Sequence, residues 1–173
     1  DDNQRVLHCS SFSKNLGMGA RVGWVFAGAY SDAIQNLQLM STLSVSPLLQ
    51  HALVDFVSHH HYEKHLRHLR RHLDINKKYF YQVLKERLPP ECSIHHYSGG
   101  YFLWIELPSY VDSQQIYEAL LEHHISIAPS LLFRPRQTAQ NYIRLNCSFT
   151  WSDTIEKAVD VLIQTITLYI KKA

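Results

Sequence analysis

The chain has 173 residues, 46% of them apolar and 18% charged, with a formal net charge of +2 when histidine is neutral. That is the composition of a folded globular protein, long enough for one sizeable core or for one domain and part of another. The balanced charge leaves no footprint of a nucleic-acid surface, and no apolar run approaches the ~20 residues of a membrane span.

Three cysteines, Cys9, Cys92 and Cys147, form no close pair and leave one over, which argues against a disulfide framework and for a reducing, cytoplasmic setting. Asp1 to Arg5 lead directly into an apolar run with no methionine and no preceding element, as expected for a piece cut from a longer protein.

The first apolar run, Val6-Leu7-His8-Cys9, and the next, Val22 to Ala27, read as strands. Between them lies Ser11-Phe12-Ser13-Lys14-Asn15-Leu16-Gly17-Met18-Gly19-Ala20-Arg21. Two hydroxyls, Ser11 and Ser13, and the Arg21 guanidinium can converge on one anion, because hydroxyls donate hydrogen bonds and the arginine fork grips phosphate oxygens bidentately. Lys14 is then the candidate nucleophile, since a lysine amine forms Schiff bases with carbonyl compounds. From spacing alone, a polar turn that merely carries Lys and Arg fits equally well.

A helix is expected from Ser31, as N-cap, through Ile34, Leu37 and Leu39, and another from Pro47 through Leu49, Ala52, Leu53 and Phe56. A further stretch carries Tyr62, Leu66, Leu69, Leu73, Phe80 and Leu84 and stops at Leu88-Pro89-Pro90, either as a second helix or as the same one kinked near His59-His60-His61. Its many Lys and Arg residues read as a solvated helix face, with a nucleic-acid or phosphate-binding face as the alternative that the balanced whole-chain charge disfavours. His61, His65, His68 and His72 share one face of it, but no carboxylate stands at zincin spacing and the neighbouring arginines repel a dication, so no metal site is expected.

Strands are expected at Ser93–Tyr97 and Tyr101–Pro108. A helix capped by Asp112 with Gln115 follows, then a strand from Ile125 towards Phe133, a polar loop at Arg134-Pro135-Arg136-Gln137, and a strand at Tyr142–Cys147. The last helix begins at Thr150 with Asp153 and carries Ile155, Val159, Leu162 and Ile166 at helical spacing. Arg144 lies inside an otherwise apolar strand, and a guanidinium so placed needs an anion, either a local carboxylate or a ligand.

The lysine stretch resembles the signature of fold-type-I pyridoxal-phosphate (PLP) enzymes, the class I/II aminotransferases. It is most like the aminotransferase-like domain of GntR-family regulators of the MocR type, whose motif is Ser-Phe-Ser-Lys, three residues, Pro-Gly, any residue, Arg, any residue, Gly and an aromatic. Ser11, Ser13, Lys14, Gly19, Arg21, Gly23 and Trp24 match it, while Met18 stands where the family has proline. His65-Leu66-Arg67-His68-Leu69-Arg70-Arg71, Gly99 to Pro108 and Tyr142 to Phe149 resemble three later family segments, in the same order.

The resemblance implies an α/β fold with an α+β small domain, the C-terminal part of the aspartate aminotransferase-like fold. Residues 1–46 would end the large PLP-binding domain, 47–90 form the long interdomain helix or helices, and 91–173 the small domain. It further implies that Lys14 forms an internal aldimine with PLP and serves as the base for the α-proton. Ser11, Ser13 and Arg21 would hold the phosphate, Arg144 the α-carboxylate of an amino-acid substrate, and Tyr101 would line the substrate pocket.

In the family the acidic partner of the pyridine nitrogen, the stacking aromatic and the first phosphate loop precede the lysine strand. These 173 residues alone are therefore expected to bind PLP weakly, not to transaminate, and to expose apolar surface. The implied whole is a GntR-type regulator that senses or processes an amino acid or amine, as a homodimer, contacting DNA only through a domain outside this chain. A free-standing amino-acid aminotransferase shares every residue quoted. A non-catalytic α+β interaction module with a basic, His-rich helix is the alternative outside the family.

Overall fold

The computed structural model describes residues 5–17, 19, 21–59, 61–95, 98–133 and 141–172. Met18, His60, Tyr97 and the loop at 134–137, all named above, lie outside the described residues. The chain divides into two units, Asp1–Leu69 and Arg70–Ala173.

In the first unit, β1 (His8–Ser11) and β2 (Gly23–Phe26) pair antiparallel, with His8 opposite Phe26 and Ser11 opposite Gly23. The pairing demands glycine at 23, because a Cβ there would lie 2.7 Å from the carbonyl oxygen of Ser10. A single 3₁₀ turn, Phe12–Lys14, closes the strand end, and the Phe12 N–H donates to the Val22 carbonyl at 3.0 Å.

Helix α1 (Ser31–Thr42) and α2 (Pro47–Ser58) follow, the latter with proline in its first turn, where its missing N–H costs nothing. Ser31 is not the cap of α1. Tyr30 occupies that position, and the Ser31 hydroxyl donates to the Gly28 carbonyl at 2.8 Å. α2 ends at Ser58 with His59 as its C-cap, and α3 (His61–Arg87) is a separate helix that extends into the second unit.

Among the described residues of this unit only Val22 and Ala27 are buried apolar side chains. Met40 at 87% exposure and Leu48 at 78% are the most exposed of a set of uncovered hydrophobes that also includes Phe26, Leu37, Leu39, Leu43 and Val54. The expected exposed apolar surface is present.

The second unit holds the core. Four antiparallel strands, β3 (Ser93–His95), β4 (Phe102–Glu106), β5 (Ala128–Pro129) and β6 (Tyr142–Asn146), are ordered β3-β4-β6-β5. Alternation along β4 and β6 sends Leu103, Ile105, Ile143 and Leu145 to one face. There they cluster with Phe80 and Leu84 of α3, Ile116 and Leu120 of α4 (Ser113–Leu121), and Val159, Leu162 and Ile166 of α5 (Asp153–Lys172). Phe102, Trp104, Glu106, Tyr142, Arg144 and Asn146 stand on the opposite face.

The strand expected from Ile125 to Phe133 shrinks to Ala128–Pro129, since Pro129 has no N–H to continue a ladder, and Ser130–Phe133 turns as a 3₁₀ helix. Asp112 caps α4 by accepting from the Gln114 N–H at 2.8 Å. At α5 the Ser152 hydroxyl, not Thr150, accepts from the Ile155 N–H, while the Thr150 hydroxyl meets His72 Nε2 at 3.3 Å. Arg87 ties α3 to α5 through Glu156 at 2.7 Å and through Asp160. Among the described residues no helix is long and apolar enough to cross a membrane.

Candidate functional site

The hairpin of the first unit collects four of the residues singled out by sequence at one end. Ser11 closes β1, Ser13 and Lys14 form the 3₁₀ turn, and Arg21 precedes the Phe12–Val22 bond across the hairpin. Arg21 adopts φ +45, a backbone conformation that side-chain-bearing residues seldom take, and it turns the chain into β2 there.

The Ser11 hydroxyl accepts from the Ser13 N–H at 3.1 Å and keeps its own proton to donate outward. Lys14 and Arg21 are exposed, and among the described residues neither has a carboxylate partner.

Three residues that the motif reading missed hold this turn. The Asn15 carbonyl meets His65 Nε2 at 2.5 Å, the Asn15 amide donates to the Tyr62 hydroxyl at 2.9 Å, and the Tyr62 ring sits edge-on to Phe12 at 6.0 Å. One turn of α3 thus grips the backbone immediately after Lys14. Part of the histidine stripe is accounted for in this way. His65 is bonded to the Lys14 turn, His61 sits 6.1 Å from the Phe56 ring, and His72 contacts Thr150. No group of three His, Cys, Asp or Glu able to hold a metal occurs among the described residues. The signal available in the sequence was the placement of Tyr62 and His65 three apart on one helix face.

In the second unit, Arg144 lies opposite Trp104 in β4 and Ala128 in β5. Its guanidinium carbon stands 4.1 Å from the Phe102 ring centroid and 4.2 Å from that of Phe133, and its buried Nε has no hydrogen-bond partner. Neither the local carboxylate nor any other described acceptor meets this cation.

Tyr101, half-buried, leads into β4, and its carbonyl accepts the Cys147 N–H at 2.8 Å. The turn before it uses Gly99 and Gly100 at φ +80 and +64, which glycine alone adopts without strain. The buried Lys77 amine donates to the Gly99 carbonyl at 2.6 Å.

Burial holds the Cys147 thiol up at about 12 and, with Glu91 adding its charge, Cys92 at about 11, so both are inert at neutral pH. Glu106 is held below the usual carboxylate range by a hydrogen bond from Tyr142 and then by His95, 2.7 Å away.

Known proteins resemble this chain in sequence and in fold. The chain spans about a third of the length of the curated relatives it matches. It is 48% identical over 162 residues to a protein described as the uncharacterized HTH-type transcriptional regulator YdcR of Escherichia coli K12, covering 94% of this chain and 35% of that protein. It is 35% identical to the similarly described YjiR of the same organism, over 92% of this chain and 34% of that protein.

Among solved structures, a multiple substrate aminotransferase from Thermococcus profundus superposes with a TM-score of 0.89 at 24% identity, covering all of this chain and 43% of that one. A kynurenine aminotransferase from Pyrococcus horikoshii gives 0.86 at 25% identity, over 96% and 42%. These likenesses bear out the α/β architecture with its α+β part, and they imply PLP as cofactor. Residues 1–162 match the model of the family described as aminotransferase class I and II, and the chain belongs to that family.

Proposed function

We propose that this chain is the C-terminal part of a PLP-binding aminotransferase-like domain in a GntR-type transcriptional regulator, which senses or processes an amino acid or amine through Lys14. The observation that carries the reading is the donor set at one hairpin end. It holds an amine, a guanidinium and two hydroxyls, with no described carboxylate to neutralise the two cations. That set fits PLP, an aldehyde joined to a dianionic phosphate.

Arg21, Ser11 and Ser13 bind the phosphate, and Lys14 Nζ is the covalent attachment point. Bound PLP supplies an electron sink for negative charge at the substrate α-carbon. Lys14 Nζ accepts and returns the proton at that carbon. Arg144 binds the α-carboxylate and so fixes which Cα bond is presented, with Tyr101 lining the pocket. The orphaned Arg144 Nε supports that role, because a buried donor without an acceptor is a standing cost that an incoming carboxylate removes.

The regulator is favoured over a free-standing aminotransferase by 48% identity to an HTH-type regulator, against 24% or 25% to the aminotransferases quoted. In this reading residues 1–46 end the large domain, 47–90 link the domains and 91–173 form the small one. DNA is met by residues outside this chain, and the protein works as a homodimer. The test is a titration of the full-length protein with PLP, followed by visible absorption. Wild type develops a protein-bound band, and Lys14→Ala does not. A band unchanged in Lys14→Ala contradicts the assignment.

A further inference from the structure

Arg144 is held in an unusual way for a ligand-binding cation. No carboxylate orients it among the described residues. Two aromatic rings do, Phe102 at 4.1 Å and Phe133 at 4.2 Å from its guanidinium carbon. Phe102 comes from β4 and Phe133 from the 3₁₀ turn after β5, so the two rings arrive from different elements. The Phe133 ring is itself braced edge-on by Trp104 at 5.2 Å, and Trp104 is the register partner of Arg144. Phe102 is backed by Tyr101, whose ring is tilted 42° to it with centroids 4.4 Å apart.

We propose that Phe102 and Phe133 form an aromatic clamp that positions Arg144 for a planar carboxylate. This rests on the reading of Arg144 as the carboxylate-binding residue. The reasoning is geometric. A guanidinium has two π-faces and an edge bearing its N–H donors. Rings at about 4 Å attract the cation and exclude water from its faces without consuming any N–H donor.

A carboxylate partner would orient the arginine too, but it would also neutralise it and occupy the fork that a ligand needs. The clamp therefore leaves the charge un-neutralised and, among the described residues, every N–H donor uncommitted, the buried Nε included. It also removes the rotamer freedom that a lone arginine loses on binding. Phe102 and Phe133 are positioning residues and touch no reacting atom.

The test uses full-length protein labelled with ¹⁵N-arginine, and sodium acetate as the simplest carboxylate probe, with sodium chloride as the control for ionic strength. The Arg144 Nε–H signal is identified by its absence in Arg144→Lys. In wild type this signal is expected to shift with acetate and not with chloride. Phe133→Leu, at a residue 38% exposed, and Phe102→Leu are expected to weaken acetate about fivefold to tenfold, while Phe133→Tyr, which keeps the ring, retains wild-type affinity. The other arginine signals report that each variant is folded.

Acetate affinity unchanged in both leucine variants overturns the clamp while leaving Arg144 as the carboxylate site. Equal loss in Phe133→Tyr overturns it as well, because the ring is still present. A wild-type Arg144 signal indifferent to acetate overturns both the clamp and the reading on which it rests.

Discussion

A cation inside an apolar strand left Arg144 two readings, a local carboxylate or a ligand, with the ligand favoured only through the family resemblance, and among the described residues the structure supplies no carboxylate for the first. Replacing Arg144 with methionine keeps volume and removes the charge. In the full-length protein, Arg144→Met should weaken the response to an α-amino acid about tenfold to a hundredfold, measured by absorption titration, and leave the response to the corresponding amine unchanged. Equal loss for both ligands would mean that the residue supports the fold instead. Asn15, Tyr62 and His65 were not legible in the same way. Their roles depend on a helix some fifty residues further along the chain reaching back to the Lys14 turn; the spacing of Tyr62 and His65 put them on one helix face but did not say what that face meets.

At the scale of elements, periodicity carried most of the reading. β-prone runs at Tyr101–Pro108 and Tyr142–Cys147 located β4 and β6, which the structure pairs in one sheet, and helical spacing located α2, α4 and α5. Ends were harder, because caps are decided by which hydroxyl happens to face the free N–H groups. Ser152 does so where Thr150 was expected.

The outer sheet face also carries a titrating group. Tyr142 first, then His95, and Ser93 more weakly stabilise the ionised Glu106, whose carboxyl would otherwise titrate near 4.5. A depressed folded-state value means that this stabilisation is full above 4.5 and is lost as pH falls through the lower folded-state value. Denaturant unfolding of wild type and Glu106→Gln should therefore differ at pH 6 and converge as pH falls below 4.5. A difference that grows on acidification would reverse the assignment.

For the whole molecule, the two units differ in how they are held. The buried cluster runs from Phe80 to Ile166 and lies entirely in the second unit, whereas the first buries only Val22 and Ala27 among its described residues. Burial of that kind sets local stability. In the 173-residue chain, amide hydrogens of β4, β6 and α5 should exchange most slowly, and those of β1, β2 and α1 within the earliest time points. Uniform protection would contradict this division.

The exposed apolar residues of the first unit were foreseeable only through the family likeness, since composition alone does not say which hydrophobes go uncovered. The central claim concerns one amine, and borohydride reduction of full-length protein incubated with PLP, followed by peptide mass mapping, tests it most directly. The account requires the phosphopyridoxyl mass on the peptide containing Lys14. Its appearance on another lysine, or its absence altogether, would contradict the account.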